Sequence, residues 1–117
     1  QTRSLILTQG LHVNFIQEVR FVRADDLWLS NAYGRDSCQF GAYCGYTRDA
    51  DAYFDGVAAI AKTLGGRPHW GKSFKEDGQK LASLYPRWDD FAELRNVLDP
   101  DGIFANTFIR RLFDVPG

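Results

Sequence analysis

An α+β fold is the expectation, because strand-like alternation is confined to the first half of the chain while helical periodicity dominates the second. Nothing links the two as repeating strand–helix–strand units. The 117 residues are 44% hydrophobic and 25% charged with a net charge of −1. That composition is one of a packed chain, not a disordered one, and the length suits one domain at most. Near-neutral charge lacks the basic face that counterion displacement on nucleic acid requires, so no nucleic-acid partner is expected. No apolar run approaches the roughly 20 residues of a membrane span, so no transmembrane segment is expected in this piece.

Residues 4–10 read as the last turns of a helix closing on Gly10. No start signal precedes them, so the natural chain is expected to extend upstream. Residues 12–23 alternate: Val13, Phe15, Gln17, Val19 and Phe21 share one face, and Asn14, Ile16, Glu18, Arg20 and Val22 the other. Asp25 and Asp26 make a turn, residues 27–30 read as a short extended piece, and residues 38–46 as a second strand interrupted by Gly41 and Gly45. The clearest helix covers residues 49–64, with Tyr53, Val57, Ile60 and Leu64 on one stripe and Gly65-Gly66 as its stop. Two shorter helices are expected over residues 76–85 and 88–98, each ended by a proline signal. A last helical turn follows Asn106.

Two cysteines, Cys38 and Cys44, are too few for a disulfide framework or a four-cysteine zinc site, and are expected to be small buried hydrophobes. Only His12 and His69 could bring imidazoles to a metal, so none is expected. Nucleophile-elbow, Walker, dinucleotide-fingerprint and zincin motifs are absent from the sequence.

Two features carry possible chemistry. Glu18 and Arg20 sit two apart within an apolar strand, so their side chains project side by side. That arrangement is either a solvated ion pair of small energetic weight, or a fixed cation beside a site where negative charge develops. Arg67, His69, Trp70 and Lys72 share one loop bounded by glycine and proline. The loop is either a connector plugged by Trp70 or a wall of a site.

The ordered set of E-V-R-F (Glu18 to Phe21), R-D-S-C (Arg35 to Cys38), G-G-R-P-H-W-G-K (Gly65 to Lys72) and D-P-D-G-I-F-A-N (Asp99 to Asn106) resembles the C-terminal region of the sugar-1,4-lactone oxidases. That is the gulonolactone and arabinonolactone oxidase family, flavoproteins of the vanillyl-alcohol oxidase type related to alditol oxidases. The resemblance implies that residues 1–66 end a cap, or substrate, domain. Residues 67–117 would be an active-site loop and a helical tail returning to an FAD-binding domain that lies elsewhere in the polypeptide. It implies FAD as cofactor and a sugar lactone or a polyol as substrate. By the same resemblance Glu18, Arg20 and Lys72 would be catalytic, and Glu18, Arg20, His69, Trp70 and Lys72 would line the substrate cavity. Arg20, His69, Lys72 and Asn106 would lie near the flavin. The stretch Gly41-Ala42-Tyr43-Cys44 departs from the H-F-T-W of alditol oxidases, whose histidine and threonine contact polyols. A cap fold that binds without catalysing is the alternative.

Overall fold

The computed structural model describes residues 1–113. It is a mixed α+β structure that divides into two compact units. One comprises Gln1–Ala24 and Arg35–Arg67, the other Asp25–Gly34 and the chain from Pro68 onward.

In the first unit, helix α1 (Thr2–Gln9) ends on Gly10, whose φ of 61° is the left-handed conformation that favours glycine at a helix terminus. Strands β1 (Gln17–Val22) and β2 (Ser37–Ala42) pair antiparallel, from Gln17 opposite Ala42 to Val22 opposite Ser37. Helix α2 (Ala50–Thr63) packs on α1 where Gly56 leaves room for the Leu5 side chain. Tyr53 of α2 is fully buried, and its hydroxyl accepts the Gln17 amide N–H at 2.9 Å, which ties α2 to the start of β1. Val57 and Ile60 are half-buried on the same stripe, while Leu64 is exposed.

β1 is shorter than its alternation predicts. A strand lasts only as long as its partner, and β2 stops at Ala42. Below Gln17 the backbone is held differently: the Asn14 side-chain oxygen accepts the Gly45 N–H at 2.8 Å, and an Asp49 carboxylate oxygen accepts the His12 N–H at 2.9 Å. The cysteines also depart from expectation. Cys38 is exposed on β2, and half-buried Cys44 faces polar atoms, with Thr47 Oγ1 at 3.6 Å and Asn14 Oδ1 at 3.8 Å.

The second unit is built on aromatic rings. Helices α3 (Gly78–Ala82), α4 (Trp88–Leu98) and α5 (Thr107–Leu112) surround Leu81, Tyr85, Trp88, Leu112 and Phe113. Trp88 stacks on Phe113 with centroids 4.4 Å apart and planes 11° from parallel. Such pairs add about 0.5–1.5 kcal/mol beyond the area they bury. Asp77 caps α3 and Asn106 caps α5, each accepting the backbone N–H three residues on. Gly78 lies so close to the Leu112 carbonyl that a side chain there would overlap it. The α3 helix is shorter than the expected 76–85, because the Leu84 N–H turns back to the Leu81 carbonyl ahead of Pro86.

Residues 27–30 form a turn, not an extended piece. Asp25 organises it by accepting the Leu27 N–H at 3.1 Å and the Ser30 hydroxyl at 2.6 Å, and the Ser30 N–H donates to the Leu27 carbonyl. No helix among the described residues is long and apolar enough to cross a membrane.

Candidate active site

Glu18 and Arg20 lie on one face of β1, opposite Gly41 and Gln39 of β2. The strand pleat delivers the pair and hydrogen bonds lock it. The Arg20 guanidinium donates to Glu18 Oε1 from Nη2 at 2.6 Å and from Nε at 2.9 Å. The other carboxylate oxygen accepts the Tyr43 hydroxyl at 3.2 Å. The Arg20 side chain keeps 66% of its surface open and Glu18 keeps 34%. The guanidinium beside it, and secondarily the Tyr43 hydroxyl, hold the Glu18 carboxyl below its ordinary pKa against the opposing effect of desolvation. The pair is therefore a carboxylate–guanidinium unit with the Nη1 edge of Arg20 turned to neither oxygen.

Gly41 makes this geometry possible. A Cβ at Gly41 would stand 2.8 Å from Tyr43 Cε2, so the ring occupies the space that any other residue would fill. The aromatic ring of Phe15 flanks Tyr43, with centroids 6.2 Å apart. The opposite face of the strand pair is apolar and exposed, carrying Val19, Phe21 and Phe40.

The other candidate residues belong to the second unit. Trp70 is half-buried and anchored: its indole N–H donates to the Leu29 carbonyl at 2.7 Å, and its ring lies 5.3 Å from Tyr85 and 6.3 Å from Trp88. His69 is exposed, and its Nδ1 accepts the Gly71 N–H at 3.0 Å, so the neutral ring carries its proton on Nε2. The Lys72 N–H donates to the His69 carbonyl at 3.0 Å, which tightens the loop and leaves the lysine side chain exposed. Thus the loop is both plugged by Trp70 and lined with outward polar groups.

Asn106 has a structural task, because its Oδ1 accepts the Ile109 N–H at 3.0 Å. Its motif neighbour Asp99 accepts the Ile103 and Phe104 N–H groups at 2.8 and 3.2 Å and stands 3.6 Å from Arg95. Those bonds, with Gly102 at φ 64°, explain the D-P-x-G-x-F spacing as a turn that presents Ile103 and Phe104 to the outside. Tyr43 is the polar neighbour that strand alternation did not single out. The signal was there in the form of a glycine two residues before a tyrosine, but only the register places that glycine across from Glu18.

A family described as D-arabinono-1,4-lactone oxidase matches residues 1–112. An L-gulono-1,4-lactone dehydrogenase of Mycobacterium tuberculosis is 41% identical over 108 residues, covering 92% of this chain and 25% of that protein. An L-gulonolactone oxidase of Scyliorhinus torazame is 37% identical over 108 residues, covering 89% of this chain and 24% of that protein. An alditol oxidase of Streptomyces is 39% identical over 100 residues, covering 83% and 24%. The chain spans about a quarter of the length of the curated relatives it matches.

Proposed function

Since the chain belongs to the D-arabinono-1,4-lactone oxidase family of oxidoreductases, we propose that it forms the substrate-facing part of an FAD-dependent enzyme that oxidises a sugar-1,4-lactone. The observation that carries this reading is the Glu18–Arg20 pair, a guanidinium fixed by two hydrogen bonds yet left largely open on a polar strand face. In this reading residues 1–66 end a cap domain, and residues 67–117 supply a site loop and tail that meet the FAD-binding domain of the same polypeptide.

The cationic donor set suits the flavin ring, which gains negative charge on reduction. When bound, FAD would supply the two-electron acceptor for oxidation of a carbinol carbon. Arg20 supplies a positive charge, and its Nη1 edge donates to an oxygen where charge accumulates. A cation held in place before reaction stabilises that charge more in the transition state than in the ground state. Glu18 holds Arg20 through Oε1 and keeps acceptor capacity for a substrate hydroxyl, since each carboxylate oxygen has two lone pairs. By the family resemblance the loop of the second unit would offer a ligand the Lys72 cation and the His69 Nε2–H, and Trp70 anchors that loop through its bond to the Leu29 carbonyl. Asn106 keeps its NH₂ group for a partner while its oxygen caps α5.

The alditol oxidase likeness favours a second reading in which the substrate is an open-chain polyol. The same pair would serve, because both substrates present a carbinol next to further hydroxyls.

The test is Arg20→Lys in the full-length protein, with anaerobic flavin reduction by L-gulono-1,4-lactone and by D-sorbitol as the readout. The variant keeps the charge but loses the planar fork, and a loss of about 10²-fold is expected for one electrostatic donor. Reduction at the wild-type rate would remove Arg20 from the site.

A further inference from the structure

We propose that Tyr43 is the positioning residue for Glu18, seated by Gly41, and that its hydroxyl fixes the carboxylate in the orientation that presents Arg20 and the free carboxylate lone pairs to substrate. The inference rests on the reading of Glu18 and Arg20 just given. Three observations support it. The Tyr43 hydroxyl donates to Oε2 while Arg20 takes Oε1, so the carboxylate is held from both sides and cannot rotate about its terminal torsion without losing a bond. Gly41 faces Glu18 across the ladder and leaves open the space through which the Tyr43 ring reaches it. Phe15, just before β1, flanks the ring at the same end of the strand pair.

A carboxylate with two rotating oxygens is a poor scaffold for a guanidinium, because every rotamer it visits moves the cation. Holding Oε2 separately removes that freedom before substrate arrives, which is the preorganisation that electrostatic stabilisation requires. The charged and titratable groups bonded to Glu18 are Arg20 on its own strand and Tyr43 just past β2, and both favour the ionised carboxylate. Loss of the Tyr43 hydroxyl therefore raises the pH below which Glu18 takes up a proton.

The experiment uses the full-length flavoprotein, three single variants, Glu18→Gln, Tyr43→Phe and Gly41→Ala, and the Tyr43→Phe/Gly41→Ala double variant. Flavin reduction by L-gulono-1,4-lactone and D-sorbitol is measured against pH. Lactone binding to the dithionite-reduced enzyme, where no turnover occurs, is measured by calorimetry. Tyr43→Phe is expected to slow reduction about tenfold, as for one hydrogen bond to a charged group, and to move the acid limb of the rate profile to higher pH. It should also weaken lactone binding to the reduced enzyme. Gly41→Ala keeps the hydroxyl but pushes the ring aside, so it should reproduce both effects. The Tyr43→Phe/Gly41→Ala double variant should cost no more than either single change. Wild-type rates, binding and acid limb in Tyr43→Phe, alongside an impaired Glu18→Gln, would overturn the role of Tyr43 and leave the pair intact. A silent Glu18→Gln, or a wild type that neither substrate reduces, would overturn the site itself and Tyr43 with it.

Discussion

Phe21 in β1 is 85% exposed, whereas Tyr85, just past α3, is 1% exposed, although both are large aromatic side chains held by short elements. The contrast runs through the two units. The second closes around its own rings, with Trp88 against Phe113 and Trp70 against Tyr85. The first buries Tyr53 and leaves Val19, Phe21 and Phe40 open on one strand face with Glu18 and Arg20 on the other. The second unit's residues are chosen for what they pack against, and the strand residues for what they present. Substitutions among the packed rings of the second unit should thus read out as stability, and substitutions on the polar strand face as chemistry.

The largest expected effect is that of Trp88→Ala, which removes the ring shared by Phe113, Tyr85 and Trp70. A loss of about 3–5 kcal/mol is expected for a buried aromatic, measured as the shift in denaturant midpoint of the full-length protein. A loss below about 1 kcal/mol would show that the aromatic cluster does not hold the second unit together. Gly78→Ala should follow at about 1–3 kcal/mol, since its methyl must displace the Leu112 backbone and part α3 from α5. Unchanged stability in that variant would break the claim of close packing there. Lys72→Met should change stability least, by under about 0.5 kcal/mol, because the side chain is exposed. If the loop that carries Lys72 serves the proposed reaction, the same variant loses lactone affinity or turnover at an unchanged melting temperature. Kinetic constants equal to wild type would reduce the loop to a connector.

The helices were the most legible part of the sequence. Pro86 before it and the proline after Asp99 bound α4 at Trp88–Leu98. Asn106 announces α5 because a cap is a local interaction between residues three apart. Strand ends were less legible, since a partner sets them: Val13 and Phe15 continue the alternation, but β2 has no residue left to pair with them. The turn at residues 27–30 was hidden for a related reason. Leu27, Trp28 and Leu29 look like strand, yet the Asp25 carboxylate, two to five residues away, outcompetes a ladder that offers them no partner. Within the site, adjacency made Glu18 and Arg20 readable, because i and i+2 share a strand face whatever the fold. Tyr43 was not, because its reach to Glu18 depends on register and on the space at Gly41.

The strand pair has two open edges among the described residues, since β1 and β2 pair only with each other. β1 would otherwise be a good template for unwanted cross-chain pairing, with Val19, Phe21 and Val22 in a six-residue strand free of proline. Glu18 and Arg20 interrupt that run with full charges, as gatekeeper residues do beside aggregation-prone segments. The same two side chains therefore keep the strand polar as well as carrying the proposed chemistry. Replacing them with apolar residues would confound lost activity with lost protein, whereas Glu18→Gln and Arg20→Lys keep the strand polar and the kinetics interpretable.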